Sequence, residues 1–135
     1  MTPPPPSDAV ALTARRAAQL LERHRAALVA RTVDVEWARR PALAARWGEP
    51  GRQRCLEDAG FHLSFLECAL VMREPRLFTD YVRWLVALLA ARGVGADDVA
   101  ANLAALGDVV DDALPLDEAR VVRALLADGV AVVAG

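Results

Sequence analysis

The chain has 135 residues, 55% hydrophobic and 5% aromatic, with a net charge of −2, which predicts one domain with its own core. The charges are interspersed without a basic run, and no stretch approaches the roughly 20 apolar residues that span a bilayer, so neither nucleic acid nor a membrane is an expected partner. The start, MTPPPPSDAV, lacks the basic and apolar regions of a signal peptide, and we expect a soluble, cytoplasmic protein.

The first part of the chain predicts a leader followed by one long helix. Residues 1–7 contain four consecutive prolines, and we expect them to form a disordered, extended leader. Ser7 or Asp8 then offers an N-cap for an Ala/Leu/Arg-rich helix over AVALTARRAAQLLERHRAALVART. In the next segment, DVEWARRPALAARWGEPG, Pro41 and the final GEPG are helix breakers, so this segment predicts one or two short helical turns.

The remainder predicts four helices separated by proline and glycine. The run RCLEDAGFHLSFLECAL is helical to about Arg73, and a second helix over PRLFTDYVRWLVALLAARG ends at Gly93. GADDVAANLAALGDVVDDAL and PLDEARVVRALLADGVAVVAG carry acidic residues near their starts, where the helix dipole favours them. The tail VAVVAG has strand propensity but no strand to pair with, so we expect it to be helical. The sequence therefore predicts a single all-α domain of about six helices over residues 8–135.

The two cysteines, Cys55 and Cys68, are not expected to form a disulfide. Thirteen residues on one helix separate them by roughly 20 Å, whereas a disulfide needs Cα atoms within about 7 Å. The sequence contains neither a C-x-x-C motif nor a Cys/His cluster, so we expect no metal site.

One face of the helix after Gly51 carries three polar side chains that suggest a site. Cys55, Asp58 and His62 lie within about 60° of one another on a helical wheel, and Phe65 continues the same band. A catalytic cysteine is not expected, because Cys55 and His62 would be about 10 Å apart on one helix, too far for the hydrogen bond that activates a thiol. The structural alternative is that the cysteines are small buried hydrophobes, that the aspartate pairs with an arginine and that the histidine belongs to the core.

The order of motifs resembles that of the phycobiliproteins, and most closely the bilin biosynthesis-associated globins. The bilin-attachment helix of phycobiliproteins has a basic residue, Cys, two residues, Asp, then Gly and an aromatic pair before Leu. The matching positions here are Arg54, Cys55, Asp58, Gly60, Phe61, His62 and Leu63. Further along, FTDYV, GVGADDVAANLAAL and LDEARVVRALLADGV are similar to later segments of that family, so the resemblance covers roughly residues 52–133.

This resemblance implies a globin-like fold with a bilin, a linear tetrapyrrole, between the helices at 52–73 and 75–92. Cys55 stands where the family forms its thioether, and Asp58 stands where a carboxylate accepts hydrogen bonds from pyrrole nitrogens. The other residues expected at the ligand are His62, Phe65, Arg52 and Arg54 for the propionates, and Tyr81 and Trp84 for ring packing. Haem is not expected, because the helix at 76–92, which carries the proximal histidine in globins, contains none.

The leading hypothesis is therefore a non-enzymatic protein that carries or senses a bilin, held covalently or reversibly. The first alternative is a helical interaction or regulatory domain of the same fold without a ligand, and a further one is a light- or cobalamin-linked sensory bundle. A homodimer is a possible assembly, with Leu20, Leu21 and Leu28 of the first helix as its candidate face.

Overall fold

The computed structural model describes residues 6–135, which form six α-helices and contain no strand. The helices are α1 (Pro6–Arg23), α2 (Arg25–Arg39), α3 (Pro41–Met72), α4 (Arg76–Ala90), α5 (Ala96–Ala113) and α6 (Leu116–Ala134). The prediction of an all-α domain is confirmed for this part of the chain. None of these helices is long and apolar enough to cross a membrane.

The first helix begins earlier and ends sooner than the sequence predicts. Residues 1–5 of the predicted leader lie outside the described residues, but Pro6 and Ser7 are helical, because proline is tolerated in the first turn of a helix. The predicted long helix is divided at His24, whose backbone angles (φ −101°, ψ 14°) depart from helical values. Backbone hydrogen bonds continue on both sides of His24, so the division is a bend and not a loop.

Longer helices replace the short turns that the sequence predicts between residues 34 and 51. The second helix runs to Arg39, and Pro41 begins α3, where its missing N–H has no helical partner to lose. Gly48 divides α3 by a kink (φ 60°, ψ −159°), in a backbone region that is essentially restricted to glycine. Trp47, just before the kink, packs so closely on Gly51, just after it, that a Cβ on this glycine would lie 2.3 Å from the Cβ of Trp47. The predicted stop at GEPG is therefore a kink within a helix.

The later boundaries agree with the sequence prediction. Arg73, in the left-handed region (φ 54°), ends α3, and Gly93 (φ 80°) follows α4. The tail VAVVAG is helical as far as Ala134. The last two helices are antiparallel, because Gly107 of α5 faces Arg123 of α6 whereas Gly129 of α6 faces Leu103 of α5.

A continuous apolar core receives side chains from all six helices. Leu21 and Leu28 are 0% and 1% exposed within it. These two leucines cannot form the homodimer face that the sequence suggested, because they are already covered by the chain's own helices. The helical period of the apolar residues was predicted correctly, but the apolar face of this helix packs on the core of the same molecule.

Polar contacts join α2 to α5 along their length. In the middle, the buried side chain of Asn102 donates a hydrogen bond from Nδ2 to Oε2 of Glu36. Around this bond, three arginines of residues 31–40 pair with aspartates of α5: Arg31 with Asp112, Arg39 with Asp108, and Arg40 with Asp98. These contacts fix the two helices that form one wall of the site described next.

Candidate functional site

A pocket of about 210 Å³ opens beside the helix that carries the predicted site. It lies between α2, both parts of α3, the end of α4 with the following loop, and the first half of α5. Much of its wall is apolar, from Trp37, Leu43, Trp47, Leu85, Leu89 and Val99. The Gly48 kink brings Leu43 and Trp47 to this wall, since both precede the kink while the helix beyond it supplies the polar side chains. A mostly apolar cavity with a few polar groups is typical of small-molecule sites.

Glu36 and Asn102 form a buried polar pair in the wall of the pocket, and both are missing from the sequence prediction. Burial raises the pKa of Glu36, against the opposing effect of the hydrogen bond from Asn102 and the positive charge of Arg40. Asn102 is 6% exposed, and its Oδ1 atom has no hydrogen-bond partner. Its side chain therefore has one bonded end and one free acceptor.

His62 lies next to this pair, deep in the core, and is 1% exposed. Its Nδ1 atom is 2.7 Å from the hydroxyl oxygen of Tyr81, a buried hydrogen bond. Burial lowers the pKa of His62 to about 4, against the opposing effect of the Asn102 side chain, so the imidazole is neutral near pH 7. Burial likewise raises the pKa of Tyr81, and its hydroxyl keeps its proton.

Cys55 and Asp58 line the pocket together, as their positions on one helical face predict. Burial raises the pKa of the Cys55 thiol to about 11, and the nearby carboxylate of Glu36 adds to this effect. The thiol is therefore almost entirely protonated at neutral pH and is a weak nucleophile. Burial also raises the pKa of Asp58, as does Glu57, while Arg92 and Arg54 oppose them.

The eight predicted site residues separate into three sets in the structure. Four of them line the pocket or reach its mouth: Arg54, Cys55, Asp58 and His62. Arg52 is turned away and pairs with Asp34. Phe65, Tyr81 and Trp84 form an aromatic cluster behind His62, in which Phe65 stacks on Tyr81 with ring centroids 4.1 Å apart. Trp84 is 58% exposed and is not part of the pocket wall.

The charge of the pocket is predominantly acidic. Four carboxyl groups line it, compared with two guanidinium groups: Glu36, Glu57, Asp58 and Asp98, with Arg54 and Arg92. Asp98 is neutralised by its ion pair with Arg40. The remaining acids favour a ligand that offers N–H donors or positive charge, and the two arginines can accept a carboxylate of the same ligand.

Two weak signals in the sequence pointed to the residues that were missed. Asn102 is the only amide in the Ala/Leu-rich run VAANLAAL, and Glu36 continues the buried series Leu28, Thr32 on α2. Neither signal shows that the two side chains meet, because they are 66 residues apart.

The described residues contain no group of three or more His, Cys, Asp or Glu side chains placed to hold a metal ion. The chain matches no model of a known protein family, and no curated protein or solved structure is similar to it at a significant level.

Proposed function

We propose that this protein binds a linear tetrapyrrole in the pocket beside Cys55 and Asp58 and acts as a non-enzymatic carrier or sensor in the cytoplasm. The observation that supports this most is the shared position of Cys55 and Asp58 on an apolar cavity. The resemblance to the phycobiliproteins requires such a cavity, whereas two side chains in solvent or in a filled core would exclude it. The proposal includes a globin-like arrangement of the six helices.

The pocket offers partners for both kinds of polar group on a linear tetrapyrrole, the pyrrole N–H groups and the propionates. Pyrrole N–H groups converge on one side of a curved tetrapyrrole, and a carboxylate such as Asp58 can accept from several of them. The propionates require cations, which Arg54 and Arg92 offer at the same pocket. Leu85, Leu89 and other apolar side chains provide the surface for the rings.

Two features of the pocket indicate how the ligand binds. The Cys55 thiol favours reversible binding, and the cavity volume leaves part of the ligand at the opening. A thiol with a pKa of about 11 supplies little of the thiolate that attacks a vinyl or ethylidene group. The volume of about 210 Å³ is smaller than the roughly 300–1,000 Å³ common for larger ligands, so we expect one or two rings inside and the others beside Trp47 and Arg54.

Titration with biliverdin and phycocyanobilin, followed by visible absorption, tests this proposal. We expect a shifted absorption band that disappears after acid denaturation, which would show reversible binding. Asp58→Asn should weaken binding about 10-fold or more, because a charge-assisted hydrogen bond is lost. Asp80→Asn, a matched change on an exposed aspartate paired with Arg83, should bind like the parent protein.

Alanine variants of the two cysteines provide a second matched comparison. Cys55→Ala should abolish any colour that survives denaturation, whereas Cys68→Ala, at an exposed position outside the pocket, should not. Absence of any spectral change with either bilin would contradict the proposed function.

The alternative is a ligand-free interaction domain of the same fold, and one observation favours it. Several large apolar side chains on α3 and α4 remain exposed on one side: Phe61, Phe65, Met72, Leu77 and Trp84. The neighbouring pair Asp80 and Arg83 gives this surface both signs of charge, which suits a second copy of the chain. Under this alternative, sedimentation would show a dimer that Trp84→Glu disrupts, and the bilins would not bind.

A further inference from the structure

Two buried polar atoms at the pocket have no partner within the described chain. One is the amide oxygen Oδ1 of Asn102, and the other is the indole nitrogen Nε1 of Trp37. Both residues line the pocket. A buried donor or acceptor without a partner costs about 1–3 kcal/mol, so native proteins rarely keep such atoms without a use.

The two atoms belong to one local unit. Asn102 is held by the hydrogen bond from its Nδ2 atom to Glu36, and Trp37 follows Glu36 directly on α2. The neighbours of the two atoms do not satisfy them. His62 and the thiol of Cys55 lie close enough to Asn102 and Trp37, respectively, to interact with them, but neither contact has the geometry of a formed hydrogen bond at these two atoms, and a thiol is a weak acceptor. The unit thus presents one free acceptor and one free donor around Glu36.

One free acceptor beside one free donor favours some ligand groups over others. A carboxylate offers only acceptors and would also meet the acids Glu36 and Asp58. An ammonium group offers only donors and leaves the indole N–H of Trp37 unpaired. A lactam, in which N–H and C=O are adjacent on one edge of a small ring, offers one donor and one acceptor and carries no charge.

We propose that Asn102 and Trp37 recognise a lactam ring of the ligand, whose N–H donates to Oδ1 of Asn102 while its carbonyl accepts from Nε1 of Trp37. This proposal rests on the proposed function, because the terminal rings of a linear tetrapyrrole are lactams. It assigns one end of the ligand to the wall formed by α2 and α5 and leaves Asp58 for the inner rings. The competing arrangements are two ordered waters at these atoms, or direct hydrogen bonds of Asn102 with His62 and of Trp37 with Cys55.

The indole resonances of the ¹⁵N-labelled protein test the arrangement directly. The chain has three tryptophans, so three indole N–H signals are expected and each can be assigned by a Trp→Phe variant. On addition of biliverdin, the Trp37 signal should move downfield, as expected for a new hydrogen bond, and by more than the signals of Trp47 and Trp84.

A matched pair of ligands separates lactam recognition from general binding. In the bis-lactim ether of biliverdin the lactam N–H is lost and the oxygen is alkylated. Trp37→Phe should weaken the binding of biliverdin about 5- to 10-fold and that of the ether by clearly less, because the ether has lost the carbonyl that accepts from the indole. Trp47→Phe, which changes another indole of the wall, should affect both ligands equally. Asn102→Ala should resemble Trp37→Phe, and if it does not fold, the tryptophan variants decide.

The outcomes distinguish the two proposals. If biliverdin binds but the Trp37 signal does not move, or Trp37→Phe binds both ligands as the parent does, the lactam assignment is wrong and the tetrapyrrole pocket remains. If biliverdin does not bind the parent protein, both proposals are wrong.

Discussion

At the scale of single residues, His62 has the environment with the clearest consequence for stability. It is enclosed in the core and bonded to Tyr81, and burial lowers its pKa to about 4 from an ordinary value near 6.5. Between these two values the unfolded chain binds a proton that the folded protein does not. The stability contributed by the neutral imidazole is therefore complete above pH 6.5 and is lost as the pH falls toward 4.

We predict that His62→Gln will have a weaker dependence of stability on pH than the parent protein. Between pH 7 and pH 4.5 the parent should lose about 2 kcal/mol more free energy of unfolding than the variant, measured by urea denaturation. Burial raises the pKa of Glu36 and of Asp58, which has the opposite sign, but these acids are present in both proteins and cancel in the difference. His24→Gln, at an exposed histidine, should behave like the parent. An unchanged pH dependence in His62→Gln would contradict the burial argument.

The shared position of Cys55 and Asp58 at the pocket could be predicted from sequence because both lie on one helix, where spacing alone determines that they share a face. The positions of Phe65 and Trp84 could not be predicted in this way. Both belong to helices next to the pocket, but which side of each helix meets the cavity depends on how α3 and α4 pack. In the structure Trp84 is directed outward, and Phe65 covers Tyr81.

At the scale of helices, the contact of α6 with its neighbours depends on Gly129. A Cβ at this position would lie 2.7 Å from Cε2 of the buried ring of Phe78 and 3.3 Å from Val82. The absence of a side chain thus lets α6 approach α4 closely. Gly107 of α5 provides a contrast, since its Cβ would meet the end of the long, half-exposed side chain of Arg123, which can move.

We predict opposite effects for alanine at these two glycines. Gly129→Ala should lower the free energy of unfolding by about 1–3 kcal/mol, because the buried ring of Phe78 cannot withdraw without disturbing the core. Gly107→Ala should be neutral or stabilising by up to about 1 kcal/mol, because alanine favours the helix. Urea denaturation of both variants gives the comparison. A larger loss in Gly107→Ala than in Gly129→Ala would mean that the two helices do not pack as described.

Helix boundaries were predicted well where proline or glycine ends a regular pattern, as at Gly93 and Pro115. The prediction failed between residues 34 and 51. There, breakers that end isolated helices are accommodated, because Pro41 falls at a first helical position and Gly48 adopts a conformation that only glycine reaches easily.

At the scale of the whole molecule, ligand binding and folding are linked. A ligand that binds the folded protein alone stabilises it by about 2.7 kcal/mol at a concentration of 100 times Kd. For a chain of this length, biliverdin at that concentration should raise the Tm by about 10 °C, measured by circular dichroism. Asp58→Asn at the same biliverdin concentration should show a smaller rise. Equal shifts in both proteins would indicate that the bilin binds outside the pocket.

The all-α class and the single core followed from composition and helical periodicity. The pocket itself did not, since its walls come from α2, α3, α4 and α5, and Glu36 and Asn102 meet across 66 residues. Periodicity identifies which side of a helix is buried, but it does not identify the partner that buries it. The sequence therefore predicts the α3 residues of the site, but not the residues of α2 and α5 that face them.

The links between α2 and α5 respond unequally to dissolved salt. The side chains of the outer pairs, Arg31 with Asp112 and Arg39 with Asp108, are about half exposed or more, and ions screen such charges over about 8–10 Å at physiological concentration. The bond between Asn102 and Glu36 is enclosed and is screened much less. Rising ionic strength will thus weaken the outer ion pairs between these helices more than the buried hydrogen bond at their centre.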